Sequence, residues 1–153
     1  MTTSRPPKGS GVFHLPYSKL TFSPLTDYAP IVDARLSWNG ASTTVWMLMD
    51  TGATMTVLPR WIAEELDLPM GGSRHSAKGV GGRVSVRPSK VHLQLVTKDT
   101  TGRTGSSWLL DPVMVTESDD VVPIALLGRK PFLQHHELTV RESKQEFVLR
   151  ELR

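Results

Sequence analysis

The stretch Val45-Trp46-Met47-Leu48-Met49-Asp50-Thr51-Gly52-Ala53-Thr54 decides how this chain folds. Its first five residues are apolar in succession, which predicts a strand covered on both faces and lying in the interior. The run ends in an aspartate and a tight polar turn. A carboxylate at the end of an interior strand is costly to bury alone, but a turn of this kind can present backbone N–H groups to it.

Working outward, residues 31–38 alternate in strand fashion, Ile31, Asp33, Arg35 and Ser37 on one face and Val32, Ala34, Leu36 and Trp38 on the other. Asn39-Gly40 then supplies the strongest short hairpin signal, and Ser42 to Met49 returns as the second strand. Beyond the aspartate, Pro59 to Leu68 reads as a helix. Pro59 suits its first turn, Glu64 and Glu65 face solvent, and Trp61, Ile62, Leu66 and Leu68 form its apolar side. Residues 74–97 read as a long hairpin turning at Gly79-Val80-Gly81-Gly82, with a bend or an edge expected at Pro88. Residues 97–107 form a polar loop. Trp108 to Thr116 and Val121 to Leu127 are strand-like, Phe132 to His136 makes one helical turn, and Leu138 to Leu149 closes the chain as a hairpin around Ser143-Lys144. All four tryptophans are assigned to the core. The pattern predicts an all-β domain of about eight short strands and one helix, barrel-like in form.

With 153 residues the chain makes one domain. We divide it into a flexible arm over residues 1–27, rich in Pro, Ser, Thr and Gly and becoming ordered near Phe13 to Phe22, and a folded domain over 28–153. Hydrophobic residues at 39% and charged residues at 22% are those of a soluble globular protein. There are no cysteines, which removes disulfides, thiolate nucleophiles and cysteine zinc sites, and suits a reducing, cytoplasmic setting. The first eleven residues lack the apolar core of a signal peptide, and no stretch has the length of a membrane helix. The net charge of +3 comes from scattered Lys and Arg, so neither a nucleic-acid nor a membrane partner is expected.

Three features occur in order: Asp50-Thr51-Gly52-Ala53-Thr54 after a buried strand, a glycine-tipped hairpin, and Leu126-Leu127-Gly128-Arg129 after another apolar strand. Over roughly residues 28–150 this pattern resembles the retroviral-type, retropepsin-like aspartic proteases. Ala77-Lys78-Gly79-Val80-Gly81 also resembles the protease domain of the DNA-damage-inducible ubiquitin-shuttle proteins. The resemblance implies an all-β acid-protease barrel with one short helix, one half of a two-fold dimer, acting on peptide or unfolded protein without cofactor or metal.

The chemistry of the aspartate agrees. Amide hydrolysis without metal or covalent help needs a base to activate water and an acid to protonate the carbonyl oxygen. Two aspartates sharing one proton supply both, because like charges so close do not both ionise easily. Only one Asp-Thr-Gly triplet exists here, and the chain is too short for a two-domain solution. The second aspartate must therefore come from another copy, across an axis that sets Asp50 against itself. By resemblance, Thr51 bonds across that axis, Gly52 admits substrate, and Ala53, Thr54 and Met55 line the cleft. Lys78, Gly79, Val80, Gly81 and Gly82 form a closing flap with Val80 at its tip, and Leu127, Gly128 and Arg129 support the catalytic loop from beneath.

Two departures stand out. Retroviral enzymes carry acidic residues just after Asp-Thr-Gly-Ala, where this chain has Thr54, Met55 and Thr56, so Arg129 loses its usual carboxylate partner. Viral subunits also interleave short terminal strands, which the long N-terminal segment and the end at 150–153 do not match. These features keep open a catalytically silent or latent peptide-binding module of the same fold. The adjacent His135-His136 pair lacks the Asp or Glu cluster a metal site would need. No Gly-x-Ser-x-Gly elbow occurs, which sets aside a serine hydrolase.

Overall fold

A computed structural model describes residues 8–22, 25–79, 82–118 and 124–152. Within them lie twelve strands and one α-helix, more strands than the eight expected. The additional strands lie mostly in the segment assigned to the arm: β1 (Val12–Pro16), β2 (Ser18–Phe22) and β3 (Leu25–Ala29).

The hairpin read from Asn39-Gly40 joins β4 (Ile31–Trp38) to β5 (Ala41–Met49), with Trp38 opposite Ala41. Asn39 and Gly40 adopt φ of 49° and 89°, the left-handed pair that a two-residue hairpin of matching twist requires. A short strand β6 (Val57–Leu58) leads into helix α1 (Arg60–Leu66), capped by extended Pro59 and stopped by Asp67 in the left-handed region. The long hairpin is β7 (His75–Gly79) against β8 (Gly82–Leu95). Pro88 stays in register opposite Met114; the register slips between Ser89 and Val91, which face Val113 and Leu110, so the extra residue lies in the partner strand at Asp111-Pro112 rather than at the proline expected to bend it. Strands β9 (Trp108–Thr116) and β10 (Ala125–Leu127) follow. A 3-10 turn at Leu133–His135 then leads to β11 (His136–Arg141) and β12 (Glu146–Glu151).

The main sheet runs β4-β5-β10-β6-β9-β8-β7, and a further β4–β8 pairing bends it into a barrel. Strand β10 lies between β5, to which it is parallel, and β6, to which it is antiparallel. The strands on either side of the Asp50 turn are thus held apart by a strand from a distant part of the chain. A second sheet, β1-β12-β11, covers one end, and β2 pairs with β3 alone. Phe13, Leu36, Met47, Leu58, Ile62, Leu93, Phe132 and Phe147 are fully buried in one continuous core. No helix among the described residues is long and apolar enough to cross a membrane.

As expected for the segment near Phe13, Phe13, Leu15 and Tyr17 sit in the core, and β1 gains its stability from a partner near the other end of the chain. Two expectations need correction. Trp46 is 50% exposed, because β5 keeps strict alternation and buries Val45, Met47 and Met49 on the opposite face. Trp61 is 43% exposed, because α1 turns Ile62, Ala63 and Leu66 inward and their neighbour outward.

Asp99 secures β1 to the loop after β8. It is buried, and its carboxylate accepts hydrogen bonds from the Thr101 hydroxyl (2.6 Å) and from the N–H groups of Gly11 (2.9 Å), Thr101 (2.8 Å) and Arg103 (3.0 Å). The Thr101 hydroxyl, then Gly11, hold it well below the usual carboxylate range, against the opposing effect of burial. A depressed folded pKa means the stabilisation is complete above about pH 4, the unfolded value, and fades as pH falls below it. Denaturation measured from pH 6 downward is expected to show a steeper acid loss in the wild type than in Asp99→Asn. Equal slopes would remove this role.

Candidate active site

Strand β5 delivers Asp50 to the rim of the barrel. The Asp50 N–H donates to the Leu127 carbonyl at 3.0 Å, and the Ala53 N–H donates to the Asp50 carbonyl at 3.2 Å, which closes residues 50–53 into a turn. The carboxylate curls back over that turn, where Oδ1 accepts the Gly52 N–H at 2.9 Å. A Cβ on Gly52 would stand 3.2 Å from the same oxygen, a contact that the carboxylate would have to give way to slightly. Asp50 is half-buried, and Thr51 and Gly52 are exposed. Among the described residues Oδ2 has no hydrogen-bond partner.

A second turn lies directly beneath. The Arg129 N–H donates to the Ala53 carbonyl and the Lys130 N–H to the Thr54 carbonyl, both at 2.9 Å, and the Thr56 N–H returns a bond to the Lys130 carbonyl at 2.9 Å. Gly128 is clamped inside, its N–H donating to the fully buried Thr56 hydroxyl at 3.1 Å. A Cβ on Gly128 would overlap the Met55 carbonyl group and come within 2.9 Å of the Ala53 carbonyl oxygen. Residues 50–56 and 127–130 are thus a single hydrogen-bonded unit. The Asp50 backbone is fixed by main-chain bonds, and its carboxylate is held by the Gly52 N–H.

This unit lies inside residues 32–130, and those residues match the family described as aspartyl protease. The chain belongs to the aspartyl protease family. Among curated protein sequences, none matches it. Among solved structures it is similar to a retropepsin-like aspartic protease from Rickettsia conorii, with 16% identity and a TM-score of 0.53 over 92% of this chain and 91% of that one. It is also similar to the EIAV protease complexed with the inhibitor HBY-793, with 21% identity and a TM-score of 0.44 over 75% of this chain and 93% of that one. The fold of this aspartyl protease is retropepsin-like.

Of the other residues singled out from the sequence, Leu127 is buried behind the Asp50 turn, and Ala53 and Met55 are half-buried at its edge. Lys78 is exposed on the β7–β8 hairpin, directly opposite Arg83, and Gly79 pairs with Gly82 at the last rung. Val80 and Gly81 lie outside the described residues. Arg129 is exposed, and its Nη2 donates to Thr54 Oγ1 at 3.1 Å, so a hydroxyl stands where the family's usual carboxylate partner was expected to be missing.

The sequence did not single out Thr56 as a supporting group. The one signal available was a hydroxyl placed between Met55 and Val57 in an otherwise apolar run. His135 and His136 are aromatic neighbours: His135 stacks on Trp108 with ring centroids 5.6 Å apart, and His136 stacks on Phe132 at 4.1 Å while bonding the Phe132 carbonyl. A cleft of about 430 Å3 lies between α1 and the β8–β9 pair, lined by Arg60, Arg74, Arg87 and Met70 among others. It contains none of the Asp50 unit, whose turn stands open at the surface of the single chain.

Proposed function

We propose that this protein is an aspartic endopeptidase whose active site is shared by two copies of the chain. The observation that carries the reading is the Asp50 turn itself: one Asp-Thr-Gly, held by backbone and open at the barrel rim, with one carboxylate oxygen satisfied by Gly52 and the other unpartnered within the described residues.

With Asp50 of the partner subunit opposite, the two carboxylates share one proton and titrate as a unit. The ionised member takes a proton from the water held between them as that water attacks the peptide carbonyl carbon. The protonated member gives its proton to the carbonyl oxygen. The tetrahedral product of that step is a neutral, non-covalent diol, which collapses as the aspartate that took the water proton gives it to the amide nitrogen, the other aspartate takes a proton from a diol hydroxyl, and the C–N bond breaks. Thr51 would bond across the axis, and Ala53, Thr54 and Met55 would form the floor. The β7–β8 hairpin, Lys78 and Gly79 to Gly82 with Val80 at the tip, would close over an extended substrate as a flap and pair with it as an added strand. Leu127, Gly128 and Arg129 hold the turn from below.

A latent monomer is a second reading, favoured by β12. Both of its edges are already taken, by β1 and β11, so this strand has no free edge to offer a second copy. Sedimentation separates the two. A dimer at micromolar concentration supports the shared site, and a monomer supports latency until another protein brings two chains together.

Cleavage of an unstructured peptide library at several pH values tests the activity. The expected profile is a bell with its optimum on the acidic to near-neutral side, because only the singly protonated pair is competent. A rate still climbing at pH 9 would contradict it.

A further inference from the structure

We infer that the floor of the cleft favours peptides carrying an acidic side chain near the scissile bond, and that Arg129 is the residue that reads it. The inference rests on the shared-site reading above and names the substrate class for that site.

Backbone bonds place two cations beside the catalytic turn. The Arg129 N–H is tied to the Ala53 carbonyl and the Lys130 N–H to the Thr54 carbonyl, and both side chains are exposed. The guanidinium of Arg129 has five N–H donors. One meets the Thr54 hydroxyl, and no carboxylate among the described residues pairs with the group. Among the described residues Arg60, Arg74, Arg87, Arg141 and Arg150 each pair with a glutamate, while Arg35, Arg83 and Arg103, like Arg129, form no ion pair. At position 129 a neutral hydroxyl orients the fork without cancelling its charge. A guanidinium aligned in this way keeps its attraction for an external carboxylate and has the geometry to bind one through two parallel bonds.

The β7–β8 hairpin adds to the field. Lys78 and Arg83 are directly opposite and both exposed, and like charges so placed destabilise a hairpin. They stand on the ribbon face away from Ala77, Val84 and the buried Val86, so their contribution is to draw acidic peptides toward the site rather than to touch them. The singly protonated pair of aspartates carries one negative charge. The acidic side chain is therefore disfavoured directly over Asp50 and favoured over Thr54, a residue or more from the bond that is cut.

The test uses the full-length protein and two peptides identical except for Glu or Gln at the second or third residue from the scissile bond. The readout is the ratio of their kcat/KM values. The wild type is expected to favour the Glu peptide by about tenfold, the scale of one charge-assisted hydrogen bond. R129Q is expected to bring the ratio near one, R129K to keep part of it, and R129E to invert it. Should these variants fold poorly, ionic strength does the same work on the wild type: the ratio shrinks as salt rises to about 0.5 M, where the screening length falls to a few ångströms. A wild-type ratio near one overturns the inference, as does a preference that survives in R129Q or ignores salt. A loss in R129Q that is equal for both peptides also overturns it, since Arg129 would then only steady Thr54. Cleavage of neither peptide would sink the shared-site reading and this inference together, whereas equal cleavage of both leaves that reading standing.

Discussion

Asp50→Asn is expected to lower peptide cleavage by at least about a thousandfold, because it removes the acid and the base of the reaction at once. The amide is nearly isosteric with the carboxylate, and its Oδ1 can still accept the Gly52 N–H that closes the turn. The bonds from Asp50 to Leu127 and Ala53 use backbone only and survive the change. Thermal stability should therefore stay close to that of the wild type while activity vanishes. This separation matters, since a variant lost to unfolding says nothing about chemistry. The comparison is made on the peptide library together with a melting curve. Residual cleavage near the wild-type rate would mean that some other group activates the water.

Gly128→Ala is expected to cost about 3 kcal/mol of stability, at the upper end of overpacking. A new methyl group at Gly128 meets backbone on both sides, the Met55 carbonyl and the Ala53 carbonyl oxygen, and neither can rotate away as a side chain could. Relief would require the two turns to separate, which breaks the bonds from Arg129 to Ala53 and from Gly128 to Thr56. For a chain of this length the melting midpoint should fall by about 10 °C. Activity should fall with it, because the same bonds fix Asp50. Gly52→Ala is the informative contrast. Its Cβ meets only the Asp50 carboxylate, at 3.2 Å, and that is a side-chain group able to shift. It should leave the fold intact and disturb the carboxylate alone. Equal melting curves for Gly128→Ala and the wild type would show that the two turns are not packed as described.

The local signals in the sequence were legible where a short stretch carries its own instructions. Asn39-Gly40 demanded a tight hairpin and makes one, and Pro59 with the apolar spacing behind it gave α1. The Asp50 turn and the Leu127-Gly128-Arg129 block, far apart in sequence, were brought together only by the family resemblance. Spacing alone says nothing about β10 inserting between β5 and β6. The strand β1 was hidden by its composition, since its order depends on pairing with β12 at the other end of the chain. Trp46 and Trp61 misled because residue apolarity was weighed above periodicity; the alternation of β5 and the turn of α1 had already placed them outside. The hydroxyl that orients Arg129 was legible only in part. The resemblance placed residues 54–56 beside Arg129, but which of them it meets depends on the two backbone turns being stapled together, and it is the Thr54 hydroxyl.

The claim that one active site is built from two copies of Asp50 is tested most directly by mixing. Wild type and Asp50→Asn are unfolded together, refolded at a fixed total concentration, and assayed as the wild-type fraction is varied. A shared pair predicts activity proportional to the square of that fraction, because only dimers with two wild-type chains retain both carboxylates. Activity that follows the fraction linearly would mean each chain carries a complete site of its own, and would contradict the account.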